Sequence, residues 1–403
     1  MAEQIRGVSY KKEEASTSPK PGNLPLLRAG NITDEGLIFD DLVFVPAERI
    51  SKKQKVCRYD VVITASSGSL DIVGKAAPML TDFDCGFGAF CKVLRPNSKV
   101  HPGYFAHFFK TKDYRQRISA LAAGANINNL RNEHLDEMQI PLPPLDEQKR
   151  IADILDRAEA LRAKRRAALA QLDELTQSIF VEMFGDPTRN PKNWDEKSLG
   201  NLCSYIIDCP HSTPKYEECI TPYPCIRTTE LKNGYIDWSE MKYISEEGYK
   251  ERTKRLIPAE GDVVYGREGS FGEAIRIPKN TNICLGQRVM LFRPNHNLCN
   301  SVFLWALVRS NEIYQQALKK TNGSTVGHVN VNDIKKFTCF CPPLLLQDEF
   351  SAIIKSIEIL KEKQQQSLLE LNNLFDSLSY EAFTGKLFSH QFFEQEIENG
   401  VKI

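Results

Sequence analysis

The run "GREGSFG" from Gly266 has the residue types of a loop whose backbone N–H groups face an anion. No lysine follows to reach a terminal phosphate, as a GxxxxGK[ST] loop requires, so a nucleotide site is not expected there. Cys203, Cys209, His211, Cys219 and Cys225 are metal-ligating types close in sequence, yet they form none of the tight CxxC pairs of a structural zinc site. The eleven cysteines are scattered and odd in number, which fits unpaired thiols in a reducing compartment and predicts a cytoplasmic chain. There is no strand–GxGxxG–helix unit and no Asn/Asp-Pro-Pro-aromatic tetrad; the Pro-Pro pairs in "LPPL" and "CPPL" follow the wrong residue type. No catalytic residue, metal or cofactor is expected.

What remains is hydrogen-bonding chemistry of the kind that reads nucleic acid: cations for phosphates, and Arg, Asn, Gln, Ser or Thr for base edges. Such residues fall in glycine-rich loops at equivalent places in two halves of the chain. "ASSGS" (Ser66, Ser67) stands opposite "GREGS" (Arg267, Ser270), and within this pair Arg267 is the better candidate because arginine binds guanine through two hydrogen bonds. "GANINNLR" (Asn126, Asn128, Asn129, Arg131) stands opposite "NGSTVGH" (Asn322, Ser324, Thr325, His328). The competing readings are a tight turn between strands for the first pair and helix-capping chemistry for the second. Arg28 and Arg227 occupy the matching "LLR" and "CIR" strands; being shared, they suit phosphates or an internal network better than discrimination. The runs Lys52-Lys53-Lys55-Arg58, Arg252-Lys254-Arg255 and Lys319-Lys320 are either phosphate contacts or solvated faces.

The elements that position these residues come from an internal repeat. "PPLDEQKRIADILDRAEAL" at Pro143 returns as "PPLLLQDEFSAIIKSIEIL" at Pro342, an offset of 199 residues that holds without a gap from Leu145/Leu344 to Phe184/Phe383. The blocks before these segments also match: "YDVVITASSGS" with "GDVVYGREGS", and "LRPN" with "FRPN". Their short β-branched runs, broken by Gly, Pro and Asn, predict a strand-rich α+β domain. Apolar residues at Ile151, Ile154, Leu155, Ala158, Leu161, Leu172 and Leu175, and at Phe350, Ile353, Ile354, Ile357, Leu360, Leu371 and Leu374, have the spacing of a coiled-coil seam. Arg165 and Gln364 interrupt the two seams at the same place, as register-fixing polar positions or as side chains reaching solvent across a bend.

A pseudo-twofold repeat is satisfied by pairing the two helices antiparallel, with a similar head at either end. The expected fold is therefore α+β, with two similar globular domains, 1–140 and 187–340, joined by helical segments 141–186 and 341–386. A tail, 387–403, would pack beside the first domain. Net charge is zero overall but +3, −2, +4 and −5 over these four blocks (the last counted to residue 403), which permits nucleic-acid binding by the heads without demonstrating it. Two heads on a spacer suit a ligand with two sites at fixed separation, of which DNA is the most common. A structural adaptor whose heads bind proteins is the alternative.

The combination "IPLPPLDEQKRIADIL", a long helix ending "IFVEMFGDPTRNPKNW", and then a second domain and helix resembles the specificity subunits of type I restriction–modification systems over nearly the whole chain. The resemblance implies a non-catalytic protein whose two target-recognition domains each read half of a split double-stranded DNA sequence. It implies that the helices dock two modification (methyltransferase) subunits, that a restriction subunit joins them, and that methyl donor and ATP belong to those partners. Glu147, Gln148, Arg150, Arg165, Arg166 and Gln347 are the expected partner-binding residues. The chain departs from the family in a shortened N-terminus and in the second motif, where Asp146-Glu147 becomes Leu345-Leu346.

Overall fold

The computed structural model describes residues 1–69, 71–123, 129–268, 272–320 and 329–388. The chain divides into two units, the first made of residues 1–166 and 366–403, the second of residues 167–365.

In the first unit the strands are β1 (Ala2–Arg6), β2 (Asn23–Leu27), β3 (Val43–Pro46), β4 (Val61–Thr64), β5 (Ala76–Pro78), β6 (Gly86–Phe87) and β7 (Cys91–Pro96). One antiparallel sheet runs β1-β7-β4-β5; a second runs β3-β2-β6, with β2 and β6 parallel. The helices are α1 (Pro102–Phe108), α2 (Lys112–Ala123), α3 (Asn132–Asp136) and the start of α4 (Leu145–Phe184). Residues alternate faces along a strand, and "VVIT" is buried on both. Val61 and Ile63 join Leu94 and the helices' Tyr104, Ile151 and Leu155 in one core, whereas Val62 and Val93 join Leu27 and Phe87 against the second sheet.

The second unit repeats this plan. Its elements are β8 (Asp195–Ser198), α5 (Leu199–Leu202), β9 (Cys203–Asp208), β10 (Pro224–Ile226), β11 (Leu231–Lys232), β12 (Tyr235–Ile236), β13 (Lys242–Tyr243) and α6 (Glu246–Arg252). There follow β14 (Val263–Gly266), β15 (Ala274–Arg276), β16 (Cys284–Leu285), β17 (Val289–Pro294), α7 (Ser301–Val308), α8 (Asn311–Lys320), α9 (Val331–Ile334), β18 (Thr338–Cys341) and α10 (Leu344–Phe383). The sheets β9-β17-β14-β15 and β13-β10-β16 match those of the first unit strand for strand. The same alternation places Val263, Tyr265 and Phe292 toward the helices, and Val264 and Leu291 toward the second sheet.

Each unit fastens the end of its sheet in the same way. Asp60 accepts two hydrogen bonds from Arg95 (2.9 and 2.7 Å), and Asp262 accepts two from Arg293 (2.8 and 2.7 Å). One difference was visible in the sequence. The stretch "PTRNPKNWDEKSL", which has no match in the first half, forms β8 and α5, and β8 pairs antiparallel with β18.

Both long helices are 40 residues and run unbroken through the half-buried Arg165 and Gln364. Within the first unit, the first half of α4 lies antiparallel to the second half of α10. Arg162 Nε donates to Asn372 Oδ1 (2.7 Å), while Arg150, twelve residues earlier, lies 4.2 Å from the Phe388 ring centre. Within the second unit, the second half of α4 meets the first half of α10: Lys361 bonds Asp173, and Phe180 and Phe184 pack on Phe350. The seam is narrower than its sequence suggests. Leu161, Leu175, Leu360 and Leu374, expected inside it, are all exposed. A helix packed on one partner and one sheet buries only a stripe, and these four fall outside it.

Phe388 belongs to the first unit's core cluster and Leu387 packs against it. Residues 389–403 of the expected tail lie outside the described residues. Phe388→Ala is expected to cost the first unit about 3 kcal/mol. Chemical denaturation measures this; an unchanged midpoint would detach Phe388 from the core.

Candidate nucleic-acid interface

The two loop pairs singled out by residue type are neighbours in space, within each unit. In the first, the chain leaving β4 passes Ala65 and Ser66, and Ser66 forms an antiparallel bridge with Asn129. Leu130 N donates to Ala65 O at 2.7 Å, and the buried Ala65 and Leu130 hold the two segments together. In the second unit, Val329 N donates to Arg267 O at 3.4 Å, with Val329 buried in the place of Leu130. Segments more than sixty residues apart are thus joined by backbone bonds at the ends of β4 and β14. Ser67 Oγ accepts from Ser69 N (3.2 Å), and the exposed Arg131 precedes α3 as its N-cap. Asn126, Asn128, Ser270, Asn322, Ser324, Thr325 and His328 lie outside the described residues.

Two candidate arginines, Arg267 and Arg227, are committed inside the protein, and Arg28 is tied to a neighbour at the surface. Arg267 is 4% exposed, with Nε 3.0 Å from Asp208 Oδ1 and Nη2 3.5 Å from Glu268. It therefore does not stand out toward a guanine. Asp208, at the end of β9, draws the side chain inward across the sheet edge, and the sequence does not show that the two are adjacent. Arg227 bonds the carboxylate of the buried Glu230 and lies 5.7 Å from the Tyr216 ring. Arg28 bonds Asp41 through both its carbonyl (2.6 Å) and its carboxylate (3.1 Å). In both units the backbone N–H of this arginine donates to the side chain three residues on, Asn31 (2.8 Å) or Glu230 (2.7 Å). Of the two readings offered for the pair, the internal network fits Arg227, whereas Arg28 and Asp41 form an ion pair at the surface.

Among the basic runs, Arg252 donates to the carbonyls of Leu285, Ser212, Pro210 and Gly286 and acts as a staple. Lys53 and Lys55 pair with Glu3 and Asp84, whereas Lys319 and Lys320 are exposed at the end of α8.

The helix residues also need correction. Gln148, expected to meet a partner, is 1% exposed; its Oε1 accepts from His101 N (2.7 Å) and its Nε2 donates to Pro143 O (2.7 Å). Gln347 is 0% exposed and repeats the clip on Asn300 N (2.9 Å) and Pro342 O (2.8 Å), adding Leu298 O (2.9 Å). Both glutamines satisfy backbone groups where the helix start meets the domain, leaving no surface for a partner. Arg150 lies over Phe388, and Arg166 bonds Glu159 (2.8 Å); Glu147 is half-buried and Arg165 likewise. Burial of Glu159 works against its charge, but Lys110, Arg166 and Arg162 outweigh it and hold the carboxyl below the usual range.

Of the five residues of metal-ligating type, Cys203, Cys209 and Cys225 belong to three separate core clusters, the first shared with Cys299 and Cys339 and the third with Cys284. Burial pushes the Cys85, Cys91 and Cys203 thiols up to about 12, so they remain protonated at neutral pH and are poor ligands and nucleophiles. No helix among the described residues is long and apolar enough to cross a membrane.

Comparison with known proteins agrees with this arrangement. The family model for the type I restriction modification DNA specificity domain matches twice, over residues 5–171 and 191–372. The chain is 30% identical to the EcoKI specificity subunit of Escherichia coli (strain K12), covering 95% of this chain and 86% of that protein. It is 31% identical to the StySPI specificity subunit of Salmonella potsdam, with the same coverage. The type I restriction-modification S subunit from M. genitalium shares the fold, with a TM-score of 0.50 at 14% identity over 95% of this chain and 93% of that one. With two matching domains, each carrying the same paired loops, the chain belongs to the family of type I restriction–modification specificity subunits.

Proposed function

We propose that each recognition domain of this non-catalytic specificity subunit reads one half of a split DNA target. The observation that carries the reading is the equivalence of the two loop pairs, joined at Ala65/Leu130 and at Arg267/Val329, on matching sheets. A shared scaffold with different side chains at its loops is what reading two different half-sites requires.

Modification (methyltransferase) subunits dock on the helices, and a restriction subunit joins that complex. Support comes from apolar side chains left uncovered at equivalent positions. The first unit exposes Leu161, Leu374 and Tyr380, and the second exposes their counterparts Leu360, Leu175 and Val181. Matched apolar sets of this kind mark contact surfaces and suit two copies of one partner.

The test is to assemble the chain with its modification subunit and select bound duplexes from random DNA. A split motif with a fixed gap is expected, together with a loss of roughly 10³-fold in affinity between 50 and 200 mM salt as counterions are released. Assembly that enriches no sequence and binds independently of salt would favour an adaptor whose heads bind proteins.

A further inference from the structure

Beside each loop pair stands an exposed side chain that is not among the candidates named from the sequence. Thr64 pairs with Cys91 across β4 and β7, and Gly266 pairs with Val289 across β14 and β17. The residues immediately before those partners, Phe90 and Arg288, therefore hold the same position in the two units. Each receives the strand end through its carbonyl: Ala65 N and Ser66 N donate to Phe90 O (2.8 and 3.1 Å), and Arg267 N donates to Arg288 O (3.1 Å). Phe90 is 70% exposed, and the Arg288 side chain is 62% exposed.

We propose that this position sets the two recognition domains to different half-sites, Arg288 donating to the O6/N7 edge of a guanine and Phe90 packing on a thymine methyl group. The proposal rests on the DNA-reading function given above. Three features set the position apart from an ordinary exposed residue. First, the surrounding frame is shared between the units (Arg28 with Arg227, Arg95 with Arg293, Asp60 with Asp262), whereas chemistry changes completely here. Second, Arg288 holds φ at 64°, a left-handed backbone that disfavours a bulky side chain and is kept where the surroundings over-determine it. Third, Arg267, its neighbour across the strand ends, is 4% exposed and held by Asp208, whereas Arg288 is 62% exposed and its Nε pairs with Glu268 Oε2 at 3.5 Å, a surface ion pair weak enough for a guanine edge to replace. Phe90 lies in the turn from Gly88 to Cys91 that follows the fully buried Phe87 of β6, so one aromatic anchors the strand before the turn and the other is exposed in it. Arginine on guanine and phenylalanine on the thymine methyl are the base contacts these side chains make in a major groove.

The experiment repeats the random-duplex selection with the full chain bound to its modification subunit, using Arg288→Ala, Arg288→Lys and Phe90→Ala. Arg288→Ala is expected to relax a guanine in one half-site by about 10- to 100-fold and leave the other half-site intact. Arg288→Lys should keep affinity yet lose most of that discrimination, because lysine lacks the forked donor pair. Phe90→Ala should relax a thymine in the opposite half-site by roughly 10-fold. Variants that keep the wild-type motif, or that lose affinity uniformly across sequences, overturn the proposal while the DNA-reading function stands. A wild-type complex that enriches no motif overturns both.

Discussion

Gln347→Leu is expected to lower the stability of the second unit by about 3 kcal/mol, although leucine nearly matches glutamine in volume. The side chain is fully buried and makes three bonds to the main chain, at Asn300 N, Leu298 O and Pro342 O. Leucine leaves one N–H and two carbonyls without that partner in a site closed to water. Each orphaned group costs roughly 1–3 kcal/mol, partly relieved by local relaxation. Gln148→Leu removes two such bonds from the first unit and should cost about 2 kcal/mol on the same reasoning. The losses should be separable. Hydrogen exchange should quicken around residues 298–308 in one variant and 101–108 in the other. Exchange that rises equally in both units, or a stability change under about 1 kcal/mol, would refute the clip as a local fastener.

The second large effect concerns a cation inside the helix pair. Lys361 is 3% exposed; its ammonium bonds the Asp173 carboxylate and Tyr235 Oη (2.9 Å), with the Tyr235 ring centre 4.1 Å away. Asp173→Ala strands that ammonium and should cost about 3 kcal/mol, at the low end for a broken buried pair because Asp173 is itself partly solvated. Lys361→Met keeps the length and removes the charge, and should change stability by less than about 1 kcal/mol. Adding Asp173→Ala to Lys361→Met should then cost little, a coupling of about 2 kcal/mol by double-mutant cycle. Additive losses would mean that the pair is not the source of the effect. The equivalent place in the first unit is milder, because position 372 is asparagine and Arg162 also bonds Glu159. Asn372→Ala should therefore cost only about 1 kcal/mol.

These two sites show where sequence reading succeeds and where it stops. The helices were legible because three-and-four spacing runs from a proline stop to a phenylalanine, twice, at one offset. Gln148 and Gln347 were legible as a matched pair but not as buried. A glutamine in "DEQKR" at a helix start has the character of solvent, and only the approach of His101 N, 47 residues away, gives it an internal task. Arg267 misled for the same reason. Arginine in a glycine-rich loop is chemically ready for guanine, but Asp208, 59 residues earlier, consumes it once β9 and β17 pair. The loop pairs were found by residue type; their adjacency was not, since it arises from backbone bonds such as Leu130 N to Ala65 O that any residue types could make. Phe90 and Arg288 escaped notice because their position is defined by strand register, and "GAFC" and "GQRV" have little in common as text.

The glutamine clips grip only amide and carbonyl groups of the domains they hold, at His101, Asn300, Leu298 and the two prolines. A joint of that kind is indifferent to side-chain identity on the domain side. A domain with another set of loops fits the same helix start if its chain path offers the same N–H and ends in the same proline. The domain's core must still meet Ile151 and Leu155, so the clip leaves the loops free to differ while the packing face stays fixed. The two units already show this freedom, since the same clip holds one domain that presents Phe90 beside its loops and another that presents Arg288.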